Sequence, residues 1–202
     1  MSPRAYRMER RRESTDANRR RILDAARELL ARQDGSTRFS LEEVARRAGV
    51  ARMTVYYQFG SLVGLLQALC DSLAVAGGME HLGDAFRRPD PVAAMDEFIA
   101  VFVGFWESDR AVIRGLGALA VLNPEVAMVL EERYGWRKKG VRALLERIAK
   151  QTGRPALREM NEAADLLYML TSFATYDTLA GSSRSRAQVT RLLQRLAQQV
   201  WT

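Results

Sequence analysis

Apolar residues return every three or four positions along nearly the whole chain, and no segment sustains the two-residue alternation of a half-buried strand. That period predicts an all-α protein. Ile22, Ala25, Ala26, Leu29 and Leu30 mark a first amphipathic helix, from Asp16 as N-cap to Arg32. Ser40 with Glu43 three residues later reads as a capping box that opens a helix at Leu41. Val44, Ala45 and Ala48 give that helix its apolar side, and Gly49 stops it at a position that favours a left-handed residue. A second short helix follows from about Ala51 and turns Val55 inward. Gly60 and Ser61 break it, and Leu62, Leu65, Leu66, Leu69 and Leu73 carry the next helix. Farther on the pattern predicts helices over Pro91–Ser108, Arg110–Leu122, Pro124–Gln151 and Arg158–Ala180, and a last stripe of Val189, Leu192, Leu193, Leu196, Ala197 and Val200 ending at Trp201.

Two short helices joined by a glycine turn, with small Ala45 at their crossing, make a helix-turn-helix packed under the first helix, with Phe39 and Leu41 in the core. The outer sides of the second short helix are left with Arg52, Met53, Thr54, Tyr56 and Tyr57. A guanidinium, hydroxyls and rings on one small surface are the groups that reach base edges, phosphates and thymine methyls in a major groove.

The run S-L-E-E-V-A-R-R-A-G-V-A-R-M-T-V-Y-Y-Q-F-G-S, Ser40 to Ser61, resembles the DNA-binding signature of the TetR family of one-component regulators, in which T-x-Y-Y-x-F closes the recognition helix. The resemblance covers about Asn18 to Leu69. It departs from the family pattern at Leu62, where a basic residue is usual, at Gln58, where an aromatic or His is common, and at Ala51, which lacks the usual capping hydroxyl.

Charge changes the picture by its placement. The net charge is +7, yet residues 1–60 hold 14 arginines against eight carboxylates, so six of the seven excess charges lie at the N-terminal end, where a polyanion would bind. Met1 to Ser14 carries five arginines with no hydrophobic period and reads as a flexible basic arm, either entering a minor groove or adding only nonspecific affinity. The expected division is an arm at 1–15, a helix-turn-helix domain at 16–61 and a ligand-binding and dimerisation domain at 62–202. Candidate DNA contacts are Arg52 on guanine, Met53 and Tyr56 on bases, and Ser40, Thr54, Tyr57, Gln58, Arg20, Arg21 and Arg38 on phosphates.

The C-terminal part is rich in aromatics at helical spacing, which either fill core or line a cavity. The candidate ligand set is Phe102, Trp106, Tyr134, Tyr168, Met169, Phe173 and Tyr176, with Thr171 and Asp177 as polar contacts; it points to an apolar or aromatic effector, and the resemblance implies such an inducer. Between Asp165 and Asp177 no residue is charged, and the apolar positions exceed one narrow face, so this helix has to be buried on two sides. One side fits a partner subunit. Leu166, Leu170, Val189, Leu192, Leu193, Leu196 and Val200 are the candidates for a four-helix homodimer interface.

One His and one Cys supply no nucleophile-base pair and no metal cluster, so neither an enzyme nor a cofactor is expected; His81 reads as a surface residue and Cys70 as core. No apolar run reaches the length of a membrane span, and with one cysteine and no signal pattern a cytoplasmic protein is expected. The competing reading is a nonspecific, architectural DNA-binding protein. The resemblance implies instead a dimer on a palindromic operator, released by a small molecule, with repression as the family default.

Overall fold

The computed structural model describes residues 3–32, 39–156, 159–181 and 183–201, with 3–13 described by backbone alone. Among these residues there are eleven α-helices, one 3-10 turn and no strand. The chain separates into two compact units, Met1–Asp71 with Ala111–Val129, and Ser72–Arg110 with Leu130–Thr202.

The first unit holds α1 (Pro3–Ala31), α2 (Leu41–Ala48), α3 (Arg52–Phe59), most of α4 (Leu62–Ala76) and nearly all of α7 (Arg110–Leu122). Its core is the predicted stripe of α1 with Val44, Ala45, Ala48, Val55, Leu65, Leu66 and Leu69, all buried. Full burial of each larger aliphatic chain contributes about 1.5–3 kcal/mol, which is what holds helices as short as α2 and α3. Phe39 and Leu41 are only half-buried and do not join that core.

The helix expected to start at Asp16 starts at Pro3 instead, so the backbone of the arginine-rich segment is helical rather than an irregular arm. Proline is well placed at the start of a helix, and the Arg, Glu, Met and Ala that follow are strong helix formers with no glycine among them. Gly115 on α7 sits against α1: a Cβ there would come within 2.1 Å of the Leu30 carbonyl oxygen. The glycine is what permits this close approach.

The second unit is built on α6 (Pro91–Ser108), which packs against α5 (Leu82–Arg87), α10 (Phe173–Ala180) and α11 (Arg186–Gln198). Asp90 caps α6 through Val92 N–H at 3.0 Å. Met95, Phe98, Ile99, Phe102 and Trp106 are buried along α6, as are Val141, Leu144, Leu145 and Ile148 along α8 (Pro124–Thr152), where Gly140 lies against the Phe98 ring. Cys70, on α4 in the first unit, is buried as expected of a core residue.

The single helix expected over Arg158–Ala180 is two helices, α9 (Met160–Leu170) and α10, parted at Thr171 and Ser172. Thr171 Oγ1 donates back to the Leu167 carbonyl at 2.9 Å, and Ser172 caps α10 through Thr175 N–H at 3.2 Å. Side chains that bond their own backbone in this way compete with helix continuation. α11 opens with a full capping box, Ser185 with Gln188, that the sequence reading did not single out.

Among the described residues no single helix is long and apolar enough to cross a membrane. α3 and α4 pass that test together only by length and composition, and they are bent by 69° at Gly60 and Ser61.

Candidate nucleic-acid interface

The turn between α2 and α3 is built from both ends. Ser40 accepts from Glu43 N–H at 3.2 Å, and Gly49 adopts φ +63°, sending its N–H to the carbonyls of Ala45 and Arg46. The capping box is only half-formed, because the Glu43 carboxylate turns forward to a bidentate pair with Arg46 instead of reaching back to Ser40. That pair holds the Glu43 carboxyl below its usual range, and Glu42 is lowered too, first by its own backbone N–H and then by Arg52. Arg21 reaches across from α1 and donates through Nη2 to the carbonyl oxygens of Ala48 (2.6 Å) and Gly49 (3.4 Å). It thus caps the C-terminus of α2, where a cation also faces the negative end of the helix dipole.

Val55, fully buried on the helix that packs against α2, fixes which way α3 faces, and the side it leaves outward is bare. Met53, Tyr56 and Tyr57 are 51%, 52% and 79% exposed, and the two tyrosine rings meet edge to face at 6.4 Å. Arg52 opens α3, two-thirds exposed, with its Nε 2.7 Å from a Glu42 carboxylate oxygen. An exposed pair of that kind is worth little and yields readily to a stronger partner. Thr54 is half-buried at the side of the same surface. Ala51 makes no side-chain cap, so the first N–H groups of α3 have no hydroxyl over them.

The remaining predicted contacts distribute unevenly. Arg20 is exposed on α1, its Nε 3.4 Å from the Asp16 carbonyl. Gln58 is turned to α1, donating to the Thr15 carbonyl at 3.1 Å, a contact made possible by the N-terminal extension of that helix. Arg38 lies outside the described residues. Sequence reasoning placed Arg19 among the basic residues of the first helix but missed that its guanidinium stacks 4.8 Å over the Phe59 ring at the end of α3, and missed the Arg47–Glu28 pair that ties α2 to α1. Arg47 at 2.7 Å from Glu28 could have been found from their shared position on facing helices.

The predicted ligand residues are placed in three ways. Phe102, Trp106, Phe173 and Tyr176 stack ring to ring in a row that begins at Phe98, outside the predicted set, with successive centroids 4.8, 5.8, 5.7 and 6.5 Å apart. Thr171 is buried beside them, and its carbonyl accepts from Trp106 Nε1 at 3.0 Å. Asp177 is committed to Arg110, which also donates to the carbonyls of Gly181 and Asp177, each at 2.8 Å. Met169 is exposed on the outer side of α9 together with Leu166, away from the stacked rings. Tyr134 and Tyr168 are half-buried around the buried Arg137, which the sequence reading did not name.

Two clefts are bounded by other residues. One of about 640 Å³ lies among Gly77, Val101, Gly104, Glu107 and Arg186; the other, of about 370 Å³, lies at the end of α8 beside Arg142 and Pro155. Of the predicted dimer residues, Leu166 and Leu196 are exposed, while Leu170, Leu192 and Val200 are half-buried. Val189 and Leu193 are spent on the chain's own core, because alternate sides of α11 face inward and outward. His81 is exposed, with Asp84 at 3.4 Å from Nδ1.

This geometry coincides with what known proteins share with the chain. Residues 22–69 match the family model for bacterial regulatory proteins of the tetR family. Over 53 residues the chain is 47% identical to the HTH-type transcriptional regulator AlkX of Mycobacterium tuberculosis, a match covering 26% of this chain and 25% of that relative. Residues 22–69 thus carry the DNA-binding region that the tetR family shares. The proteins that this family model describes are bacterial regulatory proteins. The chain matches about a quarter of the length of that curated relative, all of the likeness at sequence level being local.

Solved structures extend the fold over the rest. A TetR-like transcriptional regulator from Rhodococcus sp. RHA1 superposes with a TM-score of 0.67 at 22% identity, covering 90% of this chain and 94% of that one. NalD, the secondary repressor of the MexAB-OprM multidrug efflux pump in Pseudomonas aeruginosa, gives 0.68 at 20% identity, covering 94% and 98%. At such identities the likeness is one of fold. The TetR fold thus accounts for the helical C-terminal unit as well as for the head.

Proposed function

We propose that the chain is a sequence-specific transcriptional repressor that binds a palindromic operator as a homodimer and leaves it when a small hydrophobic effector binds the C-terminal unit. The observation that carries the reading is the bare outer side of α3, where two tyrosines, a methionine and an arginine stand exposed beside one another. Large apolar side chains grouped in water on one side of so short a helix mark a surface that a partner covers. A major groove is the partner that this helix fits.

In this reading residues 16–61 are the reading head and 62–202 the body, the protein acting in the cytoplasm. Arg52 reads guanine, Tyr56 and Met53 meet bases, and Thr54, Tyr57, Ser40, Arg20 and Arg38 hold phosphates. Arg21 and Gln58 act indirectly, since their donors are engaged inside the head. Leu166, Met169, Leu192 and Leu196 on the outer sides of α9 and α11 supply the apolar surface for a second copy. A two-fold pair of heads then matches half-sites spaced by about one turn of DNA or a multiple of it. An effector shifts the population toward a spacing that the operator does not accept.

Selection of bound duplexes from a random pool, followed by footprinting, tests the reading. One inverted repeat with symmetric protection is expected. Retention of unrelated sequences with diffuse protection would favour a nonspecific architectural DNA binder.

A further inference from the structure

In the second unit Arg88, Arg110, Arg142 and Arg186 each lie against a carboxylate. Arg137, on α8, meets no carboxylate among the described residues. It is only 5% exposed, its Nη1 donates to the Tyr168 carbonyl and, at 2.9 Å, to Thr171 Oγ1, and its Nε is buried with no partner at all. Its other neighbours are rings. The guanidinium carbon lies 3.9 Å from the Tyr168 centroid, 5.8 Å from that of Tyr134 and 6.0 Å from that of Phe102.

A buried charge without a counter-ion is a costly arrangement, and ring faces offset only part of it. Arginine stays protonated under these conditions, although burial pushes its pKa down. Fastening the break between α9 and α10 would need one neutral donor, and a glutamine could provide that without the charge. The planar fork of arginine is instead the group that takes a carboxylate through two N–H donors, and one of those donors is standing unused. Tyr134 and Tyr168 are half-buried, so the ring side of the cluster borders the surface.

We propose that Arg137 anchors the head group of the effector, and that the effector is a monocarboxylate with an apolar or aromatic body lying against Tyr134, Tyr168 and Phe102. The carboxylate supplies the missing counter-charge and meets Nε. The inference rests on the reading that the C-terminal unit takes an effector, and the test separates the two.

The full-length protein is titrated with decanoate and 4-phenylbutyrate, each beside its neutral alcohol, 1-decanol or 4-phenylbutan-1-ol. Melting temperature and the intrinsic fluorescence of Trp106, Trp136 and Trp201 are followed. At least one acid is expected to raise the melting temperature and to bind ten-fold or more tighter than its alcohol, and Arg137→Gln is expected to abolish that margin. Arg137→Lys keeps the charge without the fork and should retain part of the margin. The acid-to-alcohol ratio on the unaltered protein stands even if a variant folds poorly. Equal binding of acid and alcohol would overturn the anchor and leave the effector reading in place. Failure of all four compounds to bind would overturn both.

Discussion

On α3 the rings of Tyr56 and Tyr57 stand in solvent beside an arginine whose ion pair with Glu42 is exposed. In the second unit the same residue types are arranged in the opposite way: Phe98, Phe102, Trp106, Phe173 and Tyr176 stack in sequence, and Arg137 is enclosed. The difference teaches what an aromatic residue is for. Stacked rings repay their burial within the chain and need nothing else. Exposed rings on a helix pinned from behind by Val55 repay nothing until a partner arrives. Substitutions should therefore separate cleanly into those that unfold the protein and those that leave it folded but unable to bind.

The largest effect belongs to the stacked region. Phe98→Ala, at a fully buried ring between Phe86 and Phe102, is expected to cost about 3–5 kcal/mol in chemical denaturation. A loss below about 1 kcal/mol would mean that the stack is not the core. Gly115→Ala comes next. Its Cβ would meet a backbone oxygen that cannot swing aside, so a loss of roughly 1–3 kcal/mol is expected, with operator binding weakened through a displaced α1. Tyr57→Ala should leave thermal stability nearly unchanged and still weaken DNA binding measurably by fluorescence anisotropy.

Ser40→Ala removes one cap and should cost about 1 kcal/mol, with Glu43 still held by Arg46.

The smallest effect concerns a buried acid. Asp96 Oδ1 is buried without a partner, and burial followed by the nearby Asp90 raises its pKa above the usual carboxylate value. A carboxyl whose folded pKa is raised stabilises the fold while protonated and loses that contribution as pH rises through the folded value. Asp96→Asn should accordingly raise the melting temperature at pH 7, and the gain should vanish below about pH 4, where the acid is protonated in both states. A gain that persists in acid would contradict this origin.

How much could be read in advance differed by region for a physical reason. In the head, local signals and tertiary packing agree: Ser40, Gly49 and Val55 each do what their residue type does in isolation, so the helix-turn-helix was legible from the chain alone. Arg21 was not, because its use as a cap depends on two carbonyls 27 and 28 residues away. In the second unit periodicity found most of the helices but missed the break at Thr171, which needs side chains to compete with the helix for their own carbonyls. The same periodicity grouped Met169 with Phe173, though one faces water and the other joins the stack. Arg137 carried no signal at all, since nothing in a sequence marks an arginine that has no counter-ion.

The measurement that bears most directly on the reading head compares Arg52→Ala with the unaltered protein, by equilibrium binding to the selected operator and to a scrambled duplex at one salt concentration. A loss of roughly 5- to 150-fold on the operator, equivalent to about 1–3 kcal/mol, with the scrambled duplex nearly unaffected, is the predicted result. Equal losses on both duplexes would show that Arg52 serves only the phosphate backbone, and that the bare side of α3 is not where sequence is read.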